Sequence, residues 1–325
     1  MSRLPRNSGW SRRRLLRAAG AGVVASVVGC GTEPDAPLEG IPAGPHRLTL
    51  RFAPSPPRPA VATRLGFDLT HTASGAPVQD LQIVHERALH TFIVARDFSS
   101  FAHLHHEDFA PLDTPTGGAT FEFPYTFPAA GDYFIVCEFT HRDRTWTKRF
   151  DFRVGHRTDR PVPQIDLTRT RTVGAYTATL HTSPARPVAG HEAELVLHVA
   201  REGVPVTNLE LLLGAEVHVA VWRRDGAHFG HTHSYTPAMA KMMREMAGHA
   251  GHSAAMMLKL MSQPAELVYT GPRIPIRFTF PEPGIYQLFV QCAPGGRNVV
   301  FPFALDIPAP RADLPTDIDS IVPDA

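Results

Sequence analysis

The stretch HVAVWRRDGAHFGHTH, residues 218–233, decides how the chain is read. Asp225-Gly226 lies between two alternating apolar runs, the strongest short-range signal for a tight hairpin. With the turn centred there, His218 faces His233, Ala220 faces His231 and Trp222 faces Phe229. Strand side chains alternate between faces, so His218, His231 and His233 point to one side. Opposed strand residues carry Cβ atoms about 4.5–5.5 Å apart, and three imidazoles at that spacing can converge on one ion.

The same pattern stands earlier in the chain. Sliding the sequence by 128 residues aligns Ser55–His105 with Ser183–His233 without a gap, and 15 of these 51 positions are identical. His90, His103 and His105 thereby match His218, His231 and His233, and they share a face about Asp97-Phe98. A later match, Phe127-Pro-x-x-Gly131-x-Tyr133 with Phe280-Pro-x-x-Gly284-x-Tyr286, is offset by 153, which places an insertion of 25 residues in the second copy. Such self-similarity reads as an internal duplication.

Outside the hairpins the apolar period is again two. Leu65-x-Phe67-x-Leu69, Leu195-x-Leu197-x-Val199 and Phe121-x-Phe123-x-Tyr125-x-Phe127 alternate as half-buried strands do. The expected fold is all-β: two tandem immunoglobulin-like β-sandwich domains from the duplication, with a short Met/His-rich helical insertion in the second. The expected boundaries are a signal at 1–29, a tether at 30–45, domain 1 at 46–154, a linker at 155–171, domain 2 at 172–307 with its insertion at about 236–262, and a polar tail at 308–325.

Residues 11–17, SRRRLLR, resemble a twin-arginine export motif. The apolar run from Ala18 to Val28 is shorter than the about 20 residues a membrane span needs. Val27-Val28-Gly29-Cys30 resembles a lipobox, which implies lipidation at Cys30 and a cell-envelope location, periplasmic or outer-membrane, on the extracytoplasmic side. The chain carries 32 basic and 31 acidic residues, and six of the arginines fall in the signal. The remainder is mildly acidic, which argues against nucleic acid as a partner.

Every methionine after Met1 lies between Met239 and Met261. Met239, Met242, Met243 and Met246 recur at helical spacing, followed by His249 and His252. Methionine stripes are usually core filler. Here leucine fills the other apolar positions, and thioethers are soft donors suited to Cu(I). A Met/His-rich segment beside β-sandwich domains resembles the copper-handling proteins of the bacterial cell envelope. That resemblance implies copper sequestration or delivery, with a metal-exchange protein as a further partner; zinc is the alternative ion for the imidazoles. The expected metal ligands are therefore the six hairpin histidines, with Met239, Met242, Met243, Met246, His249 and His252 behind them.

The reading of the histidines as structural residues stands beside this one, with Glu86, Asp97, Glu107 and Asp108 as candidate partners, in a non-catalytic interaction protein. A metal-dependent oxidoreductase is a third reading, since three histidines leave a coordination position open. No phosphate loop, nucleophile elbow or His-Glu-x-x-His motif is present in the sequence. Cys137 and Cys292 can form a disulfide or stand as buried thiols, and Cys137 with His141 holds two members of a cupredoxin-like ligand set.

Overall fold

Alternation of apolar residues builds strands throughout the computed structural model, which describes residues 36–109, 119–156, 163–235 and 267–310. The expected export signal, Cys30, the Met/His-rich segment and the end of the tail lie outside the described residues. Apart from a 3-10 turn at His106–Asp108, all regular structure among the described residues is strand. No helix among them is long and apolar enough to cross a membrane.

The first half contains β1 (Leu38–Glu39), β2 (His46–Ala53), β3 (Ala62–His71), β4 (Leu89–Ala95), β5 (Phe101–Leu104), β6 (Thr120–Thr126), β7 (Gly131–His141) and β8 (Arg144–Val154). The second contains β9 (Thr170–Val173), β10 (Tyr176–Ser183), β11 (Glu192–Arg201), β12 (Val204–Pro205), β13 (Leu209–Glu210), β14 (Val217–Arg223), β15 (Phe229–His233), β16 (Arg273–Thr279), β17 (Gly284–Pro294) and β18 (Val299–Ile307). Strand β1 lies within the expected tether, where Leu38 pairs with Leu50 at a sheet edge. Strand β9 begins inside the expected linker.

Four antiparallel sheets result. In the first half they are β1-β2-β3-β6 and β5-β4-β7-β8. In the second half they are β12-β11-β10-β9 with β16 on β11, and β13-β17-β14-β15 with β18 on β17. Each half forms a β-sandwich-like pair of sheets around its own core. Leu48, Leu65, Phe67, Ile135 and Phe150 fill the first core, and Leu180, Leu197, Val219, Ile276 and Leu288 fill the second.

A third apolar cluster joins the halves. Phe92, Val94, Phe98, Phe134 and Val136 pack against Ala220, Trp222 and Phe289. Phe134 lies 4.6 Å from Trp222, and Phe101 stacks on Phe289 at 4.3 Å. Two sheets are thus covered on both faces, which is why every residue of β4 is buried. Burying one such aromatic side chain contributes about 1.5–3 kcal/mol. Polar contacts rim the junction: Arg149 donates to the Gly226 carbonyl and sits over Phe134, while Arg224 sits over Phe98 and donates to Gln287 Oε1 at 2.8 Å.

The Pro-x-x-Gly-x-Tyr repeat now has a physical explanation. Tyr133 donates its hydroxyl to the Ala129 carbonyl at 2.9 Å, and Tyr286 donates to Glu282 at 2.8 Å. Each tyrosine folds back over a turn whose glycine, Gly131 or Gly284, has φ of 149° or 146°, a conformation that glycine alone adopts readily.

Candidate metal centre

The hairpins β4-β5 and β14-β15 have the register expected from the sequence. Phe92 pairs with His103 in the first; His218 pairs with His233, Ala220 with His231 and Trp222 with Phe229 in the second. Leu89, Ile93 and Ala95 of β4 and Val217, Val219 and Val221 of β14 enter their own domain cores. The even-numbered residues, His90, Phe92 and Val94 of β4 and His218, Ala220 and Trp222 of β14, enter the junction between halves.

In the first hairpin His90 Nδ1, His103 Nε2 and His105 Nε2 converge. They lie 3.3 Å (His90–His103), 3.1 Å (His90–His105) and 3.0 Å (His103–His105) apart. The opposite nitrogen of each ring faces an acceptor that has no proton to give. His90 Nε2 donates to the Val84 carbonyl at 3.0 Å, His103 Nδ1 to Gln291 Oε1 at 3.0 Å, and His105 Nδ1 to Asp108 Oδ2 at 2.9 Å. A neutral imidazole has one N–H, and here it is used outward, so three lone pairs face one another. Metal–imidazole bonds of about 2.0–2.1 Å in tetrahedral array separate their nitrogens by about 3.3 Å, which is the scale of this triangle. The outward partners are those that orient metal-bound histidines.

The second hairpin repeats part of this. His218 Nε2 donates to the Leu213 carbonyl at 3.1 Å, His231 Nδ1 to Glu138 Oε1 at 3.2 Å, and His233 Nδ1 to the Ser234 carbonyl at 3.3 Å. His218 Nδ1 and His231 Nε2 face each other at 3.2 Å. His233 stands further off, its ring centroid 5.9 Å from that of His218 and 6.0 Å from that of His231. Among the described residues only His90, His103 and His105 bring three candidate donor atoms within 4.8 Å of one another.

The halves cross-brace each other. Gln291 of β17 orients His103, while Glu138 of β7 orients His231, and these two residues are equivalent at the 153-residue offset. The sequence suggested two separate hairpin sites; the structure sets the hairpins face to face. His90 and His231 rings lie 5.4 Å apart, and those of His103 and His218 5.9 Å. A cavity of about 280 Å³ opens onto this junction, bordered by His85, His90, Glu138, His231 and His233.

Burial disfavours the charged form of five of the six hairpin histidines. It lowers His90, His103 and His218 well below the ordinary histidine value, and neighbouring imidazoles lower them further. The same causes bring His233 to about 4. Burial also lowers His105, against the opposing pull of Asp108. Neutral imidazole is the ligand form, so the rings are ready to bind a cation at neutral pH.

Of the carboxylates suggested by sequence, Asp108 alone reaches a triad ring. Glu107 accepts from the Ala88 amide, Asp97 from Ser99, and Glu86 lies 3.9 Å from Arg87. His106 turns away to the Glu122 backbone. Glu138 and Gln291 were missed, although each is a polar residue set beside a cysteine in a largely apolar strand. The cupredoxin-like idea is overturned: Cys137 is buried in the first core against Thr91, whereas His141 pairs with His46 at 3.0 Å. Four residues of strand put Cys137 and His141 about 13 Å apart. Cys137 and Cys292 occupy different cores and are free thiols, and burial raises Cys292 to about 12. Cys30, Met239, Met242, Met243, Met246, His249 and His252 lie outside the described residues.

No curated protein matches the chain. Among solved structures it is similar to the Escherichia coli adhesin FdeC, at 10% identity and a TM-score of 0.21 over 80% of this chain and 63% of that one. It is similar to trypsin-activated α2-macroglobulin of Escherichia coli at 11% identity and 0.21, over 78% of this chain and 15% of that one. Latent PorU from Porphyromonas gingivalis gives 15% identity and 0.22, over 86% of this chain and 21% of that one. The chain thus spans less than two thirds of each of these proteins. One domain family, DUF8832, a domain of unknown function, matches twice, over residues 46–156 and 171–309. The chain belongs to the DUF8832 family.

Proposed function

We propose that this protein is an exported lipoprotein that holds a transition metal, copper above others, at the junction of two duplicated immunoglobulin-like domains. The observation that carries the reading is the triangle of His90 Nδ1, His103 Nε2 and His105 Nε2, three lone pairs 3.0–3.3 Å apart with every outward nitrogen already donating. A purely structural histidine network would place a donor opposite an acceptor at each contact. Bare nitrogens facing one another in a buried site leave unmade hydrogen bonds, each costing about 1–3 kcal/mol, and a cation removes that cost. The duplication is supported by the double family match and by the reciprocal Gln291 and Glu138 bonds.

Copper is favoured over zinc because the methionines concentrate in one segment with His249 and His252, offering soft donors as well as imidazole. In this reading the segment takes up or passes on Cu(I) and the junction stores the ion, with Cys30 fixing the protein to a membrane of the cell envelope. The test is metal content by mass spectrometry on the full chain, loaded in turn with Cu(I), Cu(II) and Zn(II) and then desalted. Copper should be retained, and retained less after His90, His103 and His105 are changed to alanine. Retention of no metal in any condition contradicts the proposal, and retention of zinc alone contradicts the copper assignment.

A further inference from the structure

His85 belongs to the first half but lies against the second half's histidines. It stands at the tip of a tight turn in which Val84 and Arg87 exchange backbone hydrogen bonds of 3.0 and 3.1 Å. His85 and Glu86 have φ of 48° and 66°, successive left-handed residues of a kind that Asn-Gly usually supplies. The equivalent turn of the second half carries Leu213 and Gly214, with φ of 54° and 73°. The first half thus keeps the turn without its glycine, under backbone strain, and presents an imidazole where its counterpart has a leucine.

That imidazole is 8% exposed, and its Nε2 is buried with no hydrogen-bond partner among the described residues. Its ring centroid is 3.9 Å from that of His233 and 5.4 Å from that of His218. The outward nitrogens of His218, His231 and His233 all donate to oxygens, so the bare nitrogens of His218 and His231 stand 3.2 Å apart with no proton between them. In the first triad Asp108 pins the third histidine; His233 has no carboxylate beside it and meets His85 instead. The 280 Å³ cavity borders His85, His231 and His233, with Arg87 and Glu138 also on its wall.

We infer that the junction holds a second metal ion, bound at the facing His218 Nδ1 and His231 Nε2 of the second half, with His85 of the first half and His233 turning in to complete the site, since no third donor of this group lies within 4.8 Å of both, so that the two halves share a two-ion centre. The inference rests on the metal reading of the first triad and takes the same class of cation, one that favours imidazole nitrogen. The second site, unlike the first, is completed across the junction and closes only when the halves are docked.

The test is the Cu(II)-to-protein ratio of the desalted full chain, with Cu(II) as the probe because thioethers favour Cu(I). His85→Leu introduces the side chain that the matching turn already carries at Leu213. It should release one equivalent of copper; the His90, His103 and His105 alanine variant should release another, and the combined variant both. If His85→Leu keeps the full wild-type content while the triad variant loses an ion, the second site is overturned and the first stands. A combined loss of a single equivalent means one shared ion and also overturns it. Copper content unchanged in every variant overturns both readings. Should circular dichroism show His85→Leu unfolded, His85→Gln gives the same readout with a polar side chain of similar reach.

Discussion

The two histidine triads come from one hairpin pattern, yet they differ in order. Around the first, the chain continues from β5 into a 3-10 turn that returns Asp108 to His105, and the three nitrogens close into a triangle. Around the second, the chain continues past His233 to Tyr235, and among the described residues the outward partner of His233 is the Ser234 carbonyl. Imidazole spacing on a hairpin is therefore necessary but does not assemble a site. The outward hydrogen bond decides where each ring points, and an anionic acceptor fixes it more firmly than a neutral carbonyl.

The largest effect that separates the triads is removal of ligands. Alanine at His90, His103 and His105 should abolish the tight site outright, whereas alanine at His218, His231 and His233 should leave it in place, as metal content reads directly. Loss of both copper equivalents from either variant alone would mean that the triads are not distinct.

Acid should come next. His233 and His46 are held at about 4 in the folded protein, against an ordinary value of 6.5, by burial first and neighbouring histidines second. The unfolded chain takes up protons more readily, so this stabilisation is complete above pH 6.5 and is lost as pH falls through 4. For His233 the change is about 3 kcal/mol at most, because each tenfold change in proton affinity is worth about 1.4 kcal/mol. Metal-free protein should show a lower urea midpoint at pH 4.5 than at pH 7.5, and bound metal should widen the difference, because it stabilises the neutral rings and is displaced by protons in acid. A midpoint independent of pH would contradict neutral, buried rings.

Asp108→Asn keeps the shape but removes the charge behind His105. It should weaken the first site by about 10–100-fold, measured by competition with a chromophoric chelator, and leave the second unchanged. The smallest effect is expected from Glu138→Gln, which gives His231 the kind of partner that His103 already has in Gln291. Its effect should fall below that 10–100-fold range. A larger loss would show that the Glu138 charge matters to the junction.

The sequence made the hairpins legible because strand period and turn chemistry are local. His218–His233 and Phe92–His103 pairing follows from alternation about Asp225-Gly226 and its counterpart. The packing of the two hairpins on each other was not legible, because it depends on contacts between residues more than a hundred positions apart. A trace of it exists in β4, where Leu89, Phe92, Ile93 and Val94 are apolar on both faces, as in a strand with no solvent side. Glu138 and Gln291 left a similar trace as polar residues in apolar strands, but their partners lie in the opposite half. His85 left no such trace, because the turn at Val84–Arg87, and not strand alternation, places it against His233.

Imidazole ligation at the His90, His103 and His105 triangle is the central claim, and the most direct measurement is the X-ray absorption spectrum of the copper-loaded full chain. It should show nitrogen neighbours at about 2 Å with the multiple scattering of imidazole rings, diminished when His90, His103 and His105 are alanine. A spectrum with sulfur neighbours alone, unchanged in that variant, would contradict it.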